Sequence, residues 1–235
     1  MDAGTLVLLH SPLVGVESWG ALPGALERGG VAAVAVPVDG DDRPPFAERY
    51  VDTAVARVLA AAPREGPLVL VGHRGAGPLL GAVGAGLAAR GEPAGGYLFC
   101  DAGLPEDGAT RLDLLAAEDP EMAAAFRAEL ERGRRFPAWT DAELEPLVPD
   151  PAARAALVGS LRPRGLEFFT EPLPAAPGWP DAPCGFLRLS PAYDHWLAAA
   201  AARGWPTASL DAGHFHPLAD PVAVADALLG LVARL

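Results

Sequence analysis

The stretch Leu68-Val-Leu-Val-Gly-His-Arg74-Gly-Ala-Gly77 joins a short apolar run to a glycine-rich turn, and a helical pattern follows it. Four consecutive apolar residues, Leu68–Val71, are typical of a strand that is covered on both faces of a sheet. The small residues that surround Arg74 allow the backbone to turn sharply. The stretch therefore predicts a strand, a tight turn with Arg74 at its centre, and a helix.

Strand and helix patterns alternate on both sides of this stretch. Further apolar runs predict strands at Thr5–Leu9, Val31–Val36, Gly96–Cys100, Gly185–Leu189 and Thr207–Leu210. Helical patterns cover Trp19–Arg28, Ala47–Ala62, Ala76–Arg90 and Pro221–Leu235, the last after an N-cap at Asp220. This alternation predicts an α/β fold with a mainly parallel, doubly wound sheet of about six strands.

Residues 104–183 interrupt the alternation because they contain no convincing strand. Helix-start signals recur there, with a capping box at Thr140-Asp-Ala-Glu143 and a second start at Asp150-Pro151. A structureless loop of about 80 residues is uncommon inside a compact domain. We therefore expect an α/β core at 1–103 and 184–235, with a helical cap at 104–183.

Composition excludes several classes of function. The net charge of −12 argues against binding to nucleic acid or to an anionic membrane surface. The sequence contains no lysine, which excludes Schiff-base chemistry on lysine and the Walker-type phosphate loop. We expect a cytoplasmic protein, since neither a signal peptide nor an apolar run of membrane-spanning length is evident. The abundance of Ala, Gly, Pro and Arg is typical of bacterial genomes rich in GC.

Three motifs in chain order resemble the α/β-hydrolase superfamily, over essentially the whole chain outside 104–183. The first strand leads into His10-Ser-Pro-Leu13, where the family has His-Gly and a loop that donates an N–H to an oxyanion. The turn around Arg74 matches the family's nucleophile elbow. Gly213-His214-Phe215, after the last strand, matches the loop of the catalytic histidine. The resemblance implies the α/β-hydrolase fold.

Two positions depart from the family pattern. Arg74 stands where the family has Ser, Cys or Asp, and a protonated guanidinium cannot attack a carbonyl group. Ser11 replaces the glycine, and Pro12 would offer no N–H if it held the donor position, whereas a shift of one residue would make Leu13 the donor. The resemblance therefore implies a protein that cannot run serine-type ester hydrolysis.

The remaining groups suggest a different chemistry. His214 would act as a general base near pH 7, with either Asp194 or Asp101 as its acid partner, since each follows a strand after which family members place that acid. Arg74 would bind a carboxylate, an enolate or another oxyanion. The Gly75 N–H would stabilise developing negative charge.

A base that faces a fixed cation suits proton abstraction next to a carbonyl group. We therefore predict a cofactor-independent lyase, isomerase or cyclase that acts on a small carbonyl or carboxylate metabolite. By analogy with relatives that have degraded triads, natural-product biosynthesis is the expected setting. The alternatives are a hydrolase in which the histidine activates water and a non-catalytic protein that binds a small molecule. A further alternative makes Arg74 a salt-bridged structural residue that reaches away from the pocket.

Other residues complete the predicted site and its partners. Aromatic side chains are expected to line a pocket for an apolar substrate. The remaining candidate binding residues are His10, Ser11, Leu13, His73, Tyr193, Trp139 and Trp196. The histidines show no metal-ligand spacing, so we predict neither a metal nor a cofactor. Cys100 and Cys184 are not expected to form a disulfide, and we expect a monomer or a homodimer.

Overall fold

In the computed structural model, residues 4–61 and 66–235 are described. Six strands in these residues form one parallel sheet in the order β2-β1-β3-β4-β5-β6. Their bounds are β1 Thr5–Leu9, β2 Ala33–Val36, β3 Leu68–His73, β4 Ala94–Cys100, β5 Cys184–Arg188 and β6 Thr207–Ser209. The predicted α/β architecture and all six predicted strands are confirmed, with ends that differ by at most two residues.

Helices connect the strands and fill the long segment between β4 and β5. Their bounds are α1 Leu22–Arg28, α2 Phe46–Ala61, α3 Leu80–Ala88, α4 Arg111–Glu118, α5 Pro120–Glu131, α6 Asp141–Leu144, α7 Pro151–Gly159, α8 Leu166–Thr170, α9 Asp194–Ala202, α10 His216–Ala219 and α11 Pro221–Val232. The side chains of Thr140, Asp150 and Asp220 cap α6, α7 and α11, as predicted. The predicted end of the second helix at Ala62 and the residues Met1–Ala3 lie outside the described ranges.

Two of the predicted helices begin later than their patterns suggested. A 3₁₀ helix covers Val16–Trp19, Gly20 follows with a φ of 48°, and α1 begins only at Leu22. A second 3₁₀ helix covers Arg74–Leu79 before α3 begins. It contains Pro78, which has no N–H for the bonding of an α-helix.

The sheet is covered on both faces because alternate residues of each strand point to opposite sides. Val7 and Leu9 of β1 belong to one buried cluster, which includes side chains of α2, α3 and α9. Leu6 and Leu8 belong to the other, which includes side chains of α1 and α11. Within the described residues, no helix is long and apolar enough to cross a membrane. Cys100 and Cys184 are buried free thiols.

The segment 104–183 contains five helices, α4 to α8, and packs against loops that follow the strands. One small cluster joins it to Val14, after β1, and to Phe215, after β6. Another joins α4, α5 and α8 to Phe46 at the start of α2. One wall of the site described below is therefore formed by this segment. The division of the chain into a core and a cap stays a prediction.

Candidate functional site

Arg74 lies at the sharp turn between β3 and the following 3₁₀ helix. Its φ of 52° is in the left-handed region, which is strained for a residue with a Cβ atom. Gly72 and Gly77, on either side of Arg74, are required because other backbone atoms lie close to them. A Cβ on Gly72 would lie 3.1 Å from the Gly77 nitrogen, and one on Gly77 would lie 2.3 Å from the Gly103 carbonyl oxygen. The local sequence therefore holds a residue with a large side chain in a backbone position that favours glycine.

The Arg74 side chain faces a cavity and has no ionic partner in the described part of the chain. Its guanidinium carbon lies 5.9 Å from the ring centre of Trp139 and 5.8 Å from that of Phe215. The Nη1 atom is buried without a hydrogen bond among residues 4–61 and 66–235. The alternative of a salt-bridged Arg74 that reaches away from the pocket is therefore wrong. The guanidinium is available to an anionic or carbonyl group.

His214 is oriented by a buried carboxylate. Its Nδ1 atom lies 2.7 Å from Oδ2 of Asp101, and the Ser190 hydroxyl donates to the same oxygen at 2.9 Å. The other carboxylate oxygen accepts the N–H groups of Leu189 and Ser190 at 2.8 and 2.9 Å. Burial alone would raise the pKa of Asp101, but the hydrogen bonds and charge around it hold the pKa below its ordinary value. The ionised carboxylate therefore keeps a proton on Nδ1 and leaves Nε2 of His214 free to accept another.

Asp194, the other candidate for the acid partner, lies elsewhere. Its carboxylate accepts a hydrogen bond from Nε of Arg188 at 2.7 Å and is 60% exposed. Of the two aspartates left open by the sequence, only Asp101 contacts His214.

The surroundings of His214 favour its neutral form. Burial lowers the pKa of His214, and the positive charge of Arg74 lowers it further, whereas the bond to Asp101 opposes both effects. The net result is a pKa below the ordinary value of 6.5. The ring of Tyr193 lies edge-on at 5.7 Å between ring centres. At pH 7 the imidazole is therefore a neutral group that can accept a proton.

His10 and His73 are buried structural histidines and do not line the cavity. The Val38 N–H donates to Nε2 of His10 at 3.0 Å, so the opposite nitrogen carries the proton and donates to the Ser11 carbonyl oxygen at 2.9 Å. The His73 Nε2 lies 2.9 Å from the His214 carbonyl oxygen. Burial lowers the pKa of His10 to about 4 and that of His73 to about 3. The two side chains hold loops of the site rather than a substrate.

The loop after β1 meets the Arg74 turn. The Leu13 N–H donates to the Ser11 hydroxyl at 3.3 Å. That hydroxyl oxygen is 3.1 Å from the position that a Cβ on Gly75 would occupy. The structure therefore brings together Ser11, Leu13, Gly75 and Arg74, four of the residues that the motifs singled out.

These residues line a cavity of about 150 Å³ between the Arg74 turn and α4. Its lining residues are Ser11, Leu13, Arg74, Gly75, Pro78, Gly103, Arg111, Leu114, Leu115, Glu118, Phe169, Tyr193 and Trp196. Trp139 contacts Arg74 without lining the cavity, and His214 contacts the lining residue Tyr193. A larger groove, of about 430 Å³, lies at the opposite edge of the sheet, but none of its described lining residues carries an ionisable side chain. Arg74 therefore lies in the wall of the smaller cavity, and His214 lies next to that wall through its contact with Tyr193.

Two charged residues of the cavity, Arg111 and Glu118, were missed by the sequence analysis. Glu118 accepts a hydrogen bond from the indole N–H of Trp196. Burial raises the pKa of Glu118, although that bond and the charge of Arg74 oppose the shift. Arg111 and Glu118 stand at the two ends of α4, seven positions apart and on one helix face. The sequence did contain a signal for these two residues, because they are charged and lie at both ends of an apolar stripe on one helix face. Among the described residues, 4–61 and 66–235, no group of three His, Cys, Asp or Glu side chains is arranged to hold a metal ion.

The model of the alpha/beta hydrolase family matches residues 6–227, so the chain belongs to this family. No curated protein matches the sequence.

Several solved structures share the fold. An extracellular α/β-hydrolase from a Paenibacillus species, described as homologous to tobacco salicylic acid binding protein 2, has a TM-score of 0.73 at 15% identity and covers 97% of this chain and 98% of its own. Tomato methylketone synthase I, as a variant bound to β-ketoheptanoate, has a TM-score of 0.71 at 14% identity, with coverage of 100% and 99%. A pyrethroid hydrolase from Sphingobium faniae has a TM-score of 0.67 at 20% identity, with coverage of 98% and 97%. At these identities, the likeness shows the fold.

Proposed function

We propose that this protein is a cofactor-independent, non-hydrolytic enzyme that transfers a proton at a carbon atom next to a carbonyl group. Its substrate is a small carbonyl or carboxylate metabolite, and natural-product biosynthesis is the setting we infer. One observation carries the proposal: the buried Asp101 carboxylate orients His214, and the positive charge of Arg74, whose Nη1 makes no hydrogen bond within the described residues, acts on the same imidazole. This arrangement combines a base with a preorganised cation.

In the proposed reaction, Nε2 of His214 accepts a proton from the substrate carbon. The electron pair of the broken C–H bond forms a C=C bond to the carbonyl carbon, and the π pair of the C=O bond moves to the oxygen, which becomes an enolate oxygen. Arg74 and the Gly75 N–H stabilise that negative charge, while Asp101 stabilises the imidazolium. Return of the proton to another atom gives an isomerase, loss of a leaving group gives a lyase, and attack on an internal electrophile gives a cyclase.

The residue at the turn after β3 supports a non-hydrolytic reaction, because it is not a nucleophile. Arg74 stands at the turn where family members carry Ser, Cys or Asp, and its side chain cannot form an acyl-enzyme. Water activation by His214 would instead give a slow hydrolase without a covalent intermediate. This second candidate is favoured by the esterases among the structural neighbours, such as polyneuridine aldehyde esterase, with a TM-score of 0.68 at 17% identity.

The size of the cavity limits the substrate. A cavity of about 150 Å³ accommodates a molecule the size of benzene. Structures of tomato methylketone synthase I contain a β-keto acid, β-ketoheptanoate, or a ketone, 2-tridecanone. We infer a substrate of the same chemical kind for this chain but a shorter one. We also propose that the segment 104–183 acts as a cap that shields the substrate from water.

Hydrogen–deuterium exchange tests the proposal. In D₂O, the wild type should accelerate the exchange of protons next to the carbonyl group of 2-oxobutanoate, acetoacetate or 4-oxopentanoate, followed by proton NMR. His214→Gln should lower the rate by at least about 100-fold, because general base catalysis contributes that much or more. His195→Gln, which changes an exposed histidine, is the control and should leave the rate unchanged.

Two results would contradict the proposal. One is exchange at the same rate in His214→Gln as in the wild type. The other is the absence of exchange together with hydrolysis of p-nitrophenyl acetate that depends on His214, which would make the protein a water-activating hydrolase.

A further inference from the structure

One face of α4 forms a wall of the cavity. Arg111, Leu114, Leu115 and Glu118 all line it, and their spacing of three, four and seven positions places them on the same side of the helix. At a rise of about 1.5 Å per residue, the first and last of these residues are separated by about 10 Å along the helix. The wall is therefore charged at both ends and apolar between them.

The guanidinium of Arg111 is held in a fixed orientation. Its Nη1 donates to the Phe168 carbonyl oxygen at 3.0 Å, and its central carbon lies 3.9 Å from the centre of the Phe168 ring. The Nε and Nη2 atoms are buried and make no hydrogen bond within the described residues. These two atoms form one edge of the guanidinium, and such an edge can donate two parallel hydrogen bonds to a carboxylate. Buried donors without a partner are costly, so a ligand that accepts from both would remove an energetic penalty.

The two carboxylates whose charges act on Arg111, those of Glu171 and Asp41, make no hydrogen bond to its Nε or Nη2. Oδ1 of Asp41 accepts from Arg164 at 3.0 Å, and its Oδ2 is buried without a hydrogen bond within the described residues. The two oxygens of Glu171 accept the N–H groups of Phe46 and Ala47 at 2.7 and 2.8 Å. Burial lowers the pKa of Arg111 to about 10, and the charges of Glu171 and Asp41 oppose the shift, so the side chain stays protonated at pH 7.

The wall of the cavity carries more cationic than anionic groups. Its ionisable lining groups are the guanidiniums of Arg74 and Arg111, the carboxyl of Glu118 and the phenol of Tyr193. Burial raises the pKa of Tyr193 to about 12, so the phenol is neutral at pH 7. Whether or not Glu118 is ionised, these lining groups have a net positive charge, which a bound carboxylate would reduce.

We propose that Arg111 is the carboxylate-binding residue of the cavity and that the ligand is a small oxo acid with one carboxylate. The carboxylate accepts from Nε and Nη2 of Arg111, and the carbonyl group points toward Arg74. The placement of the ligand's carbonyl group near Arg74 rests on the proposed function. Two charge-assisted hydrogen bonds stabilise the bound carboxylate before reaction, which opposes the loss of CO₂. The reaction therefore retains the carboxylate and occurs at the carbon next to the carbonyl group.

Isothermal titration calorimetry on the wild type tests the assignment with two matched probes. These are 4-oxopentanoate and its neutral isostere 4-oxopentanamide. We expect the carboxylate to bind at least about tenfold more tightly than the amide, since hydrogen bonds between charged groups are the strong ones. Arg111→Met should abolish that preference, chiefly by weakening the binding of the carboxylate. Arg127→Met is the control, because Arg127 lies exposed on α5.

A second variant guards against a failure of Arg111→Met to fold. Arg111→Lys keeps the charge but loses the paired donors, so its preference for the carboxylate should fall between those of the wild type and the methionine variant. Equal binding of the two probes by the wild type, or full preference retained in a folded Arg111 variant, would overturn the assignment. Binding that depends on Arg111 without proton exchange would refute only the proposed function. Exchange whose KM does not respond to Arg111→Met would refute only this assignment.

Discussion

Nδ1 of His214 lies 2.7 Å from Oδ2 of Asp101, although 113 positions separate the two residues in the chain. The parallel sheet makes this contact because the carboxyl ends of β4, β5 and β6 meet at one edge. Asp101 follows β4 with a φ of 48°, Ser190 lies just beyond β5, and the loop after β6 supplies His214. Residues that follow three neighbouring strands, β4, β5 and β6, therefore form and orient the base.

Replacing Asp101 by Asn should remove most of the proton-transfer activity. The asparagine oxygen would stay with the N–H groups of Leu189 and Ser190, so the NH2 group would face Nδ1 of His214 and could not accept its proton. The imidazole would then lose its orientation and its favoured tautomer. We expect the exchange rate to fall by at least about 100-fold. Asp194→Asn is the matched control, since Asp194 is exposed and binds Arg188 rather than His214, and it should retain the wild-type rate. Equal losses in both variants would mean that the change acts on the fold.

The rate should depend on the protonation of His214. Burial and the charge of Arg74 lower the pKa of His214, and the neutral form is the base. The rate should therefore be constant near pH 7 and fall in acid, with an inflection below 6.5. Arg74→Met removes a positive neighbour, so the inflection should move to higher pH even if the maximal rate is lower. NMR titration of the His214 ring protons would show this shift, and a shift to lower pH would contradict it.

Arg74 should lower the stability of the protein through its backbone conformation. Its φ of 52° is accessible to glycine without strain, so Arg74→Gly should be more stable than Arg74→Ala by about 1 kcal/mol. Arg127, on the exposed face of α5, should show the opposite order, with the glycine variant about 1 kcal/mol less stable than the alanine variant. Urea denaturation measures all four variants. The same order at both positions would show that the Arg74 backbone is not strained.

Acid should destabilise the protein through its buried histidines. The folded-state pKa values of His10, about 4, and His73, about 3, lie below the ordinary value of 6.5. Between these values, the unfolded state binds protons that the native state does not, so stability falls as the pH is lowered from 6.5. At pH 5, each histidine should cost about 2 kcal/mol relative to pH 7.

Carboxyl groups with raised pKa values act in the opposite direction. Burial raises the pKa of Asp41 and that of Glu118, so their ionisation destabilises the folded protein as the pH rises. His214, with its lowered pKa, adds to the effect of the other two histidines. We therefore expect a net decrease in the free energy of unfolding between pH 7 and pH 5, measured by urea denaturation. Unchanged stability over this interval would contradict the neutral, buried state of the histidines.

The sheet could be predicted from the sequence because strands covered on both faces are continuous apolar runs. The run Leu68–Val71 predicts β3 for this reason, and the glycines of the following turn predict the bend at Arg74. The start of α3 could not be predicted as well, because the helical pattern continues through the 3₁₀ helix that contains Pro78. Apolar periodicity does not distinguish a 3₁₀ turn from the first turn of an α-helix.

The site was less accessible to sequence reasoning. Asp101 and Asp194 both follow strands at the same edge of the sheet, and only the turn at Asp101 directs its carboxylate toward His214. Arg111 and Glu118 were missed because the face that α4 presents to the cavity depends on how the segment 104–183 packs. His10 matched a motif, yet the backbone around it uses both of its ring nitrogens.

The central claim is that His214 remains an oriented base although Arg74 stands at the position of the family's nucleophile. Labelling with a fluorophosphonate probe tests this claim most directly. The wild type should not be labelled, whereas Arg74→Ser should become labelled and gain activity on p-nitrophenyl acetate. Both gains should be lost in the double variant that also carries His214→Ala. Labelling of the wild type that disappears in His214→Ala would contradict the account, because another nucleophile, such as Ser11 in the cavity wall, would then be present. A folded Arg74→Ser variant that remains unlabelled would show that His214 and Asp101 are not poised for catalysis.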